Sequence, residues 1–220
     1  DSCKARYRRP KEPVAEEVLI PALERADDFR CMVGYFGSGA LQELAPGLAS
    51  YIFNSDQPFR LLVSPQISLQ DQEALSEGVR QAEEVAGQTL EDLFSDEVAL
   101  ANELARHTKR CLAYLIASER LEMKVVVVKN AIFHLKEWIV TQGEDTLVLS
   151  GSANFTGAAL RSNVETLNLH RSWRGTDNEE VCRESINQFE EYWEGSEAND
   201  SVVTLDLSAA VKERILYGED

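Results

Sequence analysis

The sequence predicts an α/β fold, with a mixed, mostly parallel sheet, helices on both of its faces and a helical insertion at about residues 68–122. Two observations lead to this prediction. Near the start, apolar strand-like runs alternate with a helical pattern, which is the unit that builds parallel sheets. In the second half, β-branched residues crowd into short runs typical of strands. With 220 residues and 44% hydrophobic content, the chain can fill the core of a single domain over 1–220.

The first third of the chain contains two predicted strands. Apolar residues at helical spacing predict an amphipathic helix over 13–26, with a proline near its start. The apolar runs "FRCMVGYF" (29–36) and "PFRLLVSP" (58–65) predict strands. Between them, "GSGALQELAPGLASYI" predicts a helix that Pro46 interrupts.

The helical insertion is polar, with apolar residues at helix-like intervals. We expect two to four helices that cover one face of the sheet. The apolar residues that define the pattern are Leu69, Leu75, Val79, Ala82, Leu90, Leu93, Leu104, Leu112, Leu115 and Ile116.

Strand patterns return after the insertion. "MKVVVVKNAIFHLKEWIV" (123–140) predicts a pair of strands hinged at Lys129 and Asn130, and "DTLVLSGSANFT" (145–156) and "NVETLNLHR" (163–171) predict two more. A helix is expected over 178–195, opened by Asp177 or Asn178, and "SVVTLDL" (201–207) predicts a short last strand.

Charge and cysteine content exclude some classes of protein. The net charge of −16 argues against a general nucleic-acid coat protein, although the first eleven residues are basic and a local basic site is compatible with it. The four cysteines have no metal-site or redox spacing, which indicates reduced thiols. We expect a cytoplasmic protein without a membrane segment, and its ends suggest a fragment of a longer protein.

Polar residues converge in the stretch 132–160. On a strand, His134 and Lys136 would project from one face, and Ser152 and Asn154 would do the same on the next strand. Gly151 would leave main-chain amides open to a ligand oxygen, ahead of a helix start that favours anions. An imidazole, an ammonium and neutral donors suit a phosphate diester.

Glu165, on the following predicted strand, could accept the second imidazole N–H of His134 and fix its tautomer.

These elements resemble the signature of the phospholipase D superfamily: "HLK" is followed by "GSANFTGAAL". "ADDFRCMVGYFGSGALQELA" and "PFRLLVSPQIS" look like its compact bacterial nuclease branch, which includes restriction endonucleases and modules at the N-termini of helicase-type proteins. The resemblance extends over about 13–194. It implies a metal-independent phosphodiesterase without a cofactor, in which His134 forms a phosphohistidine while Lys136 and Asn154 hold the non-bridging oxygens.

The resemblance also implies partners. The superfamily needs two such elements and this chain holds one, so we expect a homodimer formed through the active-site face, with DNA as substrate. A helicase or recognition domain would complete the full-length protein. The family pattern places an Asp five residues after the Lys, where this chain has Thr141. A catalytically degenerate module for DNA binding or dimerisation is therefore the alternative, and a phospholipid enzyme is disfavoured because no membrane-binding feature is evident.

Other polar and aromatic residues have two readings. Arg161, Arg171 and Arg174 could bind flanking phosphates or form a solvated rim. For the three tryptophans, Trp138, Trp173 and Trp193, core packing is favoured over base stacking. His107 and His170 are expected at the surface or partly packed, outside the site.

Overall fold

The fold is built on one eight-stranded sheet. The computed structural model describes residues 3–85, 96–195 and 201–217. Across the sheet the strands follow the order β1-β7-β6-β5-β2-β3-β4-β8. In chain order they are β1 (Arg6–Arg8), β2 (Asp28–Val33), β3 (Phe59–Val63), β4 (Leu121–Val128), β5 (Lys136–Gln142), β6 (Asp145–Gly151), β7 (Thr166–Arg171) and β8 (Val202–Asp206).

The sheet is mixed, as predicted, but the expectation that it is mostly parallel is wrong. Among the described strands, only β2 with β3 and β3 with β4 run parallel. Helical crossovers make both of these connections. The other five neighbouring pairs are antiparallel, because the second half of the chain forms the β5–β6 hairpin, adds β7 beside it and places β1 and β8 on the two edges.

The predicted strand pair around Lys129 and Asn130 is also corrected. Asn130 does mark a turn, with φ of 58°. However, β4 and β5 are not neighbours, because β2 and β3 lie between them in the sheet. A run of strand-forming residues shows that two strands exist, but it does not show which strands they pair with.

Helices cover both faces of the sheet. They are α1 (Ile20–Leu23), which continues a π-helical turn at Ala15–Leu19, α2 (Gly39–Glu43), α3 (Ala45–Asn54), α4 (Leu69–Val85), α5 (Glu97–Arg106), α6 (Thr108–Ala117), α7 (Gly157–Arg161), α8 (Thr176–Glu194) and α9 (Leu207–Lys212). As predicted, Pro46 separates two helices: it occupies the first turn of α3, where its missing N–H is tolerated.

The core lies in two layers. The larger layer packs Cys31, Leu61 and Trp138 of the sheet against helices from the first half of the chain. The smaller layer packs alternate sheet residues, among them Met32 and Ile139, against α8. Alternation along the strands therefore assigns successive residues to opposite layers.

The insertion contributes α4, α5 and α6 on the larger layer, which agrees with the expected two to four helices on one face. Leu75, Leu104, Leu112 and Leu115 of its pattern are buried. Leu90 and Leu93 lie outside the described residues.

The N-terminal edge of the sheet was missed from sequence. Arg6–Arg8 reads as part of a basic tail, yet it pairs with β7 through Tyr7, which is 1% exposed. Three residues are too few for a recognisable alternating pattern. No helix among the described residues has the length and apolar character needed to cross a membrane.

Candidate active site

The candidate residues gather at one end of the sheet, where β2 and β3 finish and β5 begins. Val33 pairs with Val63 on one side and with Lys136 on the other. β6 finishes at the same end of the sheet, where Gly151 pairs with Leu167 near the start of β7. The topology therefore brings together His134, Lys136, Ser152, Asn154 and Glu165 from three separate segments of the chain.

Lys136 is a buried cation at this end of the sheet. It is 9% exposed, and its Nζ donates a hydrogen bond to the carbonyl oxygen of His134 at 3.1 Å. Desolvation lowers the pKa of Lys136, and the charge of Glu165 partly opposes that shift. An ammonium has three donors, so two have no acceptor among the described residues and remain for an anion at the mouth of the site.

His134 precedes β5 and is not part of it, which corrects the prediction that it lies within the strand. Its side chain is exposed while that of Lys136 is buried. Among the described residues its imidazole has no hydrogen-bond partner, so the ring is open to a ligand. An exposed imidazole beside a cation can act as a nucleophile or a base.

Gly34 makes room for His134, a role that the sequence analysis did not identify. A Cβ built on Gly34 would lie 3.0 Å from His134 Cδ2 and 3.0 Å from the carbonyl oxygen of Phe133. The carbonyl of Gly34 also accepts a hydrogen bond of 2.5 Å from Ser64 Oγ. The glycine inside the run "FRCMVGYF" was the available signal, since glycine in a strand often marks a close approach.

Contrary to expectation, Glu165 forms no hydrogen bond with the His134 imidazole among the described residues. One of its oxygens accepts the hydroxyl of Ser152 and the other accepts Asn163 Nδ2 at 3.3 Å. In the sheet order, β6 separates the start of β7 from β5. Glu165 reaches the site through Ser152 and through its charge on Lys136.

Ser152 is engaged with β7. Its hydroxyl donates to Glu165, and its Oγ accepts the backbone N–H of Thr166 at 3.0 Å. The single hydroxyl proton is therefore already used. Ser152 supports the end of β6 and orients Glu165, whereas the sequence had suggested a neutral donor to the substrate.

Asn154 has its amide orientation fixed by the backbone. Its Oδ1 accepts the N–H of Tyr35 at 3.0 Å. No described group accepts from its Nδ2, so both N–H donors of that nitrogen are available. The indole of Trp138 donates to the carbonyl of Ala153 at 3.3 Å and holds the segment that carries Asn154.

Gly151 is required by strand packing. A Cβ on Gly151 would lie 2.0 Å from the carbonyl oxygen of Thr166, a distance that no side chain tolerates. This close approach explains the glycine without a ligand. Its predicted contact with phosphate stays a prediction.

Arg161 lies at the end of α7, outside the group described above. Its side chain is 67% exposed and forms an ion pair of 3.3 Å with Glu43. The start of α7 is capped by Thr156, whose Oγ1 accepts the N–H of Ala159 at 3.1 Å. Phosphate binding by Arg161 also remains a prediction.

Three of the other candidates make contacts within the fold: Trp138, Trp193 and Arg171. Trp138 is fully buried and stacks on Phe155 with a centroid distance of 5.0 Å, so the core reading is confirmed. The ring of Trp193 packs against Phe189, Arg60 and Lys124. Arg171 Nη1 donates to the carbonyl of Cys3 at 2.9 Å, which ties β7 to the N-terminal segment.

The four cysteines are free thiols, as predicted. Within the described ranges, no three residues of the His, Cys, Asp or Glu types are grouped so that they could hold a metal ion.

Comparisons with known proteins identify the fold. No family model matches the sequence, and no curated protein does. Among solved structures, NucT from Helicobacter pylori is similar at a TM-score of 0.53 and 15% identity, over 91% of this chain and 97% of that one. Nuc from Salmonella typhimurium, a phospholipase D family member, aligns at 17% identity and a TM-score of 0.37, over 74% of this chain and 79% of that one. The likeness to NucT shows that the two proteins share a fold, and the predicted α/β fold with helices on both faces of a mixed sheet is confirmed.

Proposed function

We propose that this chain is a metal-independent phosphodiesterase of the phospholipase D superfamily, a nuclease domain that cleaves DNA in the cytoplasm. The observation that supports this most is that an exposed His134, a buried Lys136 bonded to its carbonyl, and an Asn154 amide with unused N–H donors lie at the same end of the sheet. Cation and amide donors around a nucleophile stabilise the charge that develops on a phosphate.

The proposed reaction has two steps. An imidazole nitrogen of one His134 attacks phosphorus, the bond to the leaving oxygen breaks, and a second, protonated imidazole gives its proton to that oxygen. The second imidazole then takes a proton from water, whose oxygen attacks phosphorus and breaks the P–N bond. Lys136 and Asn154 would hold the non-bridging oxygens in both steps.

The second imidazole would come from His134 of another copy of the chain. Two exposed apolar side chains flank the candidate site and support this proposal: Ile132 is 61% exposed and Val164 is 87% exposed. Each lies within two residues of a candidate residue, His134 or Glu165. Exposed apolar side chains around a polar centre favour burial against a partner.

In a longer protein, we propose that a helicase or recognition domain adds further phosphate contacts. The net charge of −16 supports this idea, because a strongly acidic chain gains little non-specific affinity for nucleic acid on its own.

The test is cleavage of bis(p-nitrophenyl) phosphate and of labelled DNA in EDTA, by the wild-type chain and by His134→Ala. We expect turnover in EDTA and a loss of at least about 10³-fold in the variant. His170→Ala is the matched control, because His170 lies on β7, paired with Val148, outside the site. Cleavage that needs a metal ion, or that survives His134→Ala, would contradict the proposal.

A second candidate is a DNA-binding or dimerisation module that retains the fold without the chemistry. The engagement of Glu165 by Ser152 and Asn163 favours it, because His134 then lacks the orienting carboxylate expected of an active site. This candidate predicts DNA binding that survives His134→Ala and no turnover of either substrate.

A further inference from the structure

A basic groove lies between the start of α2 and the junction of α5 with α6. Its volume is about 500 Å³. The junction contributes Arg106, His107, Thr108, Lys109 and Arg110, and the side of α2 contributes Ser38, Gly39 and Gln42. Four of the five consecutive residues 106–110 are therefore basic types, in a chain whose 38 acidic residues outnumber its 22 lysines and arginines.

The cations of this groove are largely available to a ligand. Arg110 pairs with Glu103 at 2.8 Å, and its side chain is 75% exposed. Lys109 donates to the neutral amide of Gln70. In the part of the chain that the structure describes, neither Lys109 nor Arg106 forms an ion pair with a carboxylate. Because exposed cations without carboxylate partners keep their attraction for anions, the groove is a local positive region on an acidic protein.

The groove is connected to the candidate site by a short series of contacts. Tyr35 donates its N–H to Asn154, and two residues later Gly37 donates its N–H to the carbonyl of Phe155 at 2.8 Å. Ser38, on the wall of the groove, follows Tyr35 by three residues, a separation of at most about 11 Å. That length corresponds to roughly two or three phosphates along a nucleic acid strand.

We propose that this groove binds the phosphate backbone of the nucleic acid strand whose scissile bond lies at His134. The proposal rests on the proposed function and gives the helical insertion a role in it: α5 and α6 carry cations to a place that one strand reaches from the site. The hydroxyl of Ser38 and the amide of Gln42 are neutral donors of the kind that bond to phosphate oxygens in nucleic-acid complexes, whereas the hydroxyl of Thr108 already donates to the carbonyl of Leu104 at 3.0 Å. Contacts of this kind position the strand without reading its sequence.

The test compares Arg106→Gln/Lys109→Gln with the wild-type chain. Binding of a fluorescein-labelled oligonucleotide is measured by anisotropy at several salt concentrations, and the same oligonucleotide and bis(p-nitrophenyl) phosphate serve as substrates. Loss of two phosphate contacts should lower the slope of log K against log salt by about 1.4 for a single strand. We expect kcat/KM for the oligonucleotide to fall about tenfold relative to that for the small diester.

The matched control is Arg183→Gln/Lys212→Gln, which removes two exposed charges from α8 and α9 instead. An equal fall in affinity in both double variants, or no fall in either, would contradict the proposal that the groove binds the strand. If the wild-type chain cleaves neither substrate, the proposed function fails, but anisotropy still decides whether the groove binds the strand.

Discussion

Gly34 sets the space available to His134, so the first prediction concerns this residue. A methyl group on Gly34 would press against His134 Cδ2 and the carbonyl of Phe133, both at 3.0 Å. Because misplacement of a reacting group by a fraction of an ångström is costly, kcat/KM of Gly34→Ala should fall about tenfold.

The control for Gly34→Ala is Gly37→Ala, whose added Cβ would lie 3.4 Å from Thr156 Cγ2, an ordinary contact. Kinetics with the small diester and thermal melts of both variants make the comparison. Retention of activity within twofold in Gly34→Ala would show that His134 does not depend on this space.

The charge of Lys136 is expected to lower the stability of the fold at neutral pH while it supports activity. Burial lowers its pKa in the folded state below the usual 10.5, so the unfolded chain binds the proton more tightly between the two values. The charged Lys therefore opposes folding at neutral pH, and this cost fades as pH rises through the folded-state pKa. Lys136→Met should lose activity. Its Tm at pH 7 should be equal to the wild-type Tm or up to about 2–4 °C above it.

The same comparison at higher pH tests the direction of the pKa shift of Lys136. The folded chain loses the buried charge at a lower pH than the unfolded chain does, so the difference in Tm between Lys136→Met and wild type should narrow as the pH rises toward 10.5. A lower Tm for Lys136→Met at pH 7 would mean that the hydrogen bond to His134 outweighs the cost of burying the charge.

At the scale of elements, the turn between β5 and β6 depends on a carboxylate from outside the hairpin. Asp27, just before β2, accepts the N–H of Gly143 through its Oδ2 at 2.6 Å. Thr141 stands where the family pattern has Asp, at the end of β5 remote from Lys136, and its hydroxyl lies 3.5 Å from that of Thr146. We infer that Asp27 provides the acidic support for this turn.

Asp27→Ala should accordingly lower Tm by about 2–4 °C, since a charge-assisted hydrogen bond to a turn is lost. Asp56→Ala is the matched control, because the exposed side chain of Asp56 forms no hydrogen bond or ion pair in the described structure. If thermal melts of the two variants coincide, the turn does not depend on Asp27.

The sequence predicted the elements of this fold better than their pairing. Periodicity identified β2, β3 and α8 because each is long enough to show an apolar face. It could not reveal that two other strands separate β4 from β5, nor that Arg6–Arg8 closes an edge, since these depend on contacts between distant segments.

For the site too, the sequence predicted the residues better than the contacts between them. The motif predicted that His134, Lys136 and Asn154 converge, and the structure places them at one end of the sheet. It could not predict that Ser152 engages Glu165, because that contact depends on how β7 packs beside β6. It also missed Gly34, whose role is visible only when β2 and the segment before β5 are side by side.

At the scale of the whole molecule, the proposed homodimer depends on the two exposed apolar side chains near the site, Ile132 and Val164. Val164→Asp places a charge on a side chain that is 87% exposed in the single chain. If two copies meet there, burying this carboxylate is unfavourable, so sedimentation should show a monomer and diester cleavage should fall at least tenfold.

Val98→Asp is the control for this test, because Val98 is 68% exposed on α5. It should leave both mass and activity unchanged. A dimer that persists in Val164→Asp, or a fully active monomer, would contradict a shared site on this face.

The burial of Trp138 also gives the molecule an optical reporter. Its indole N–H is bonded to Ala153, next to Asn154, and its ring stacks on Phe155, so the segment that carries the amide cannot move without changing the surroundings of this indole. A fully buried indole emits at shorter wavelength than one in water, and Trp173 is 45% exposed. Trp193 is half-buried and also contributes to the blue edge of the fluorescence spectrum, so in a Trp193→Phe variant that edge follows the Asn154 segment and ligand titrations can be read there without a label.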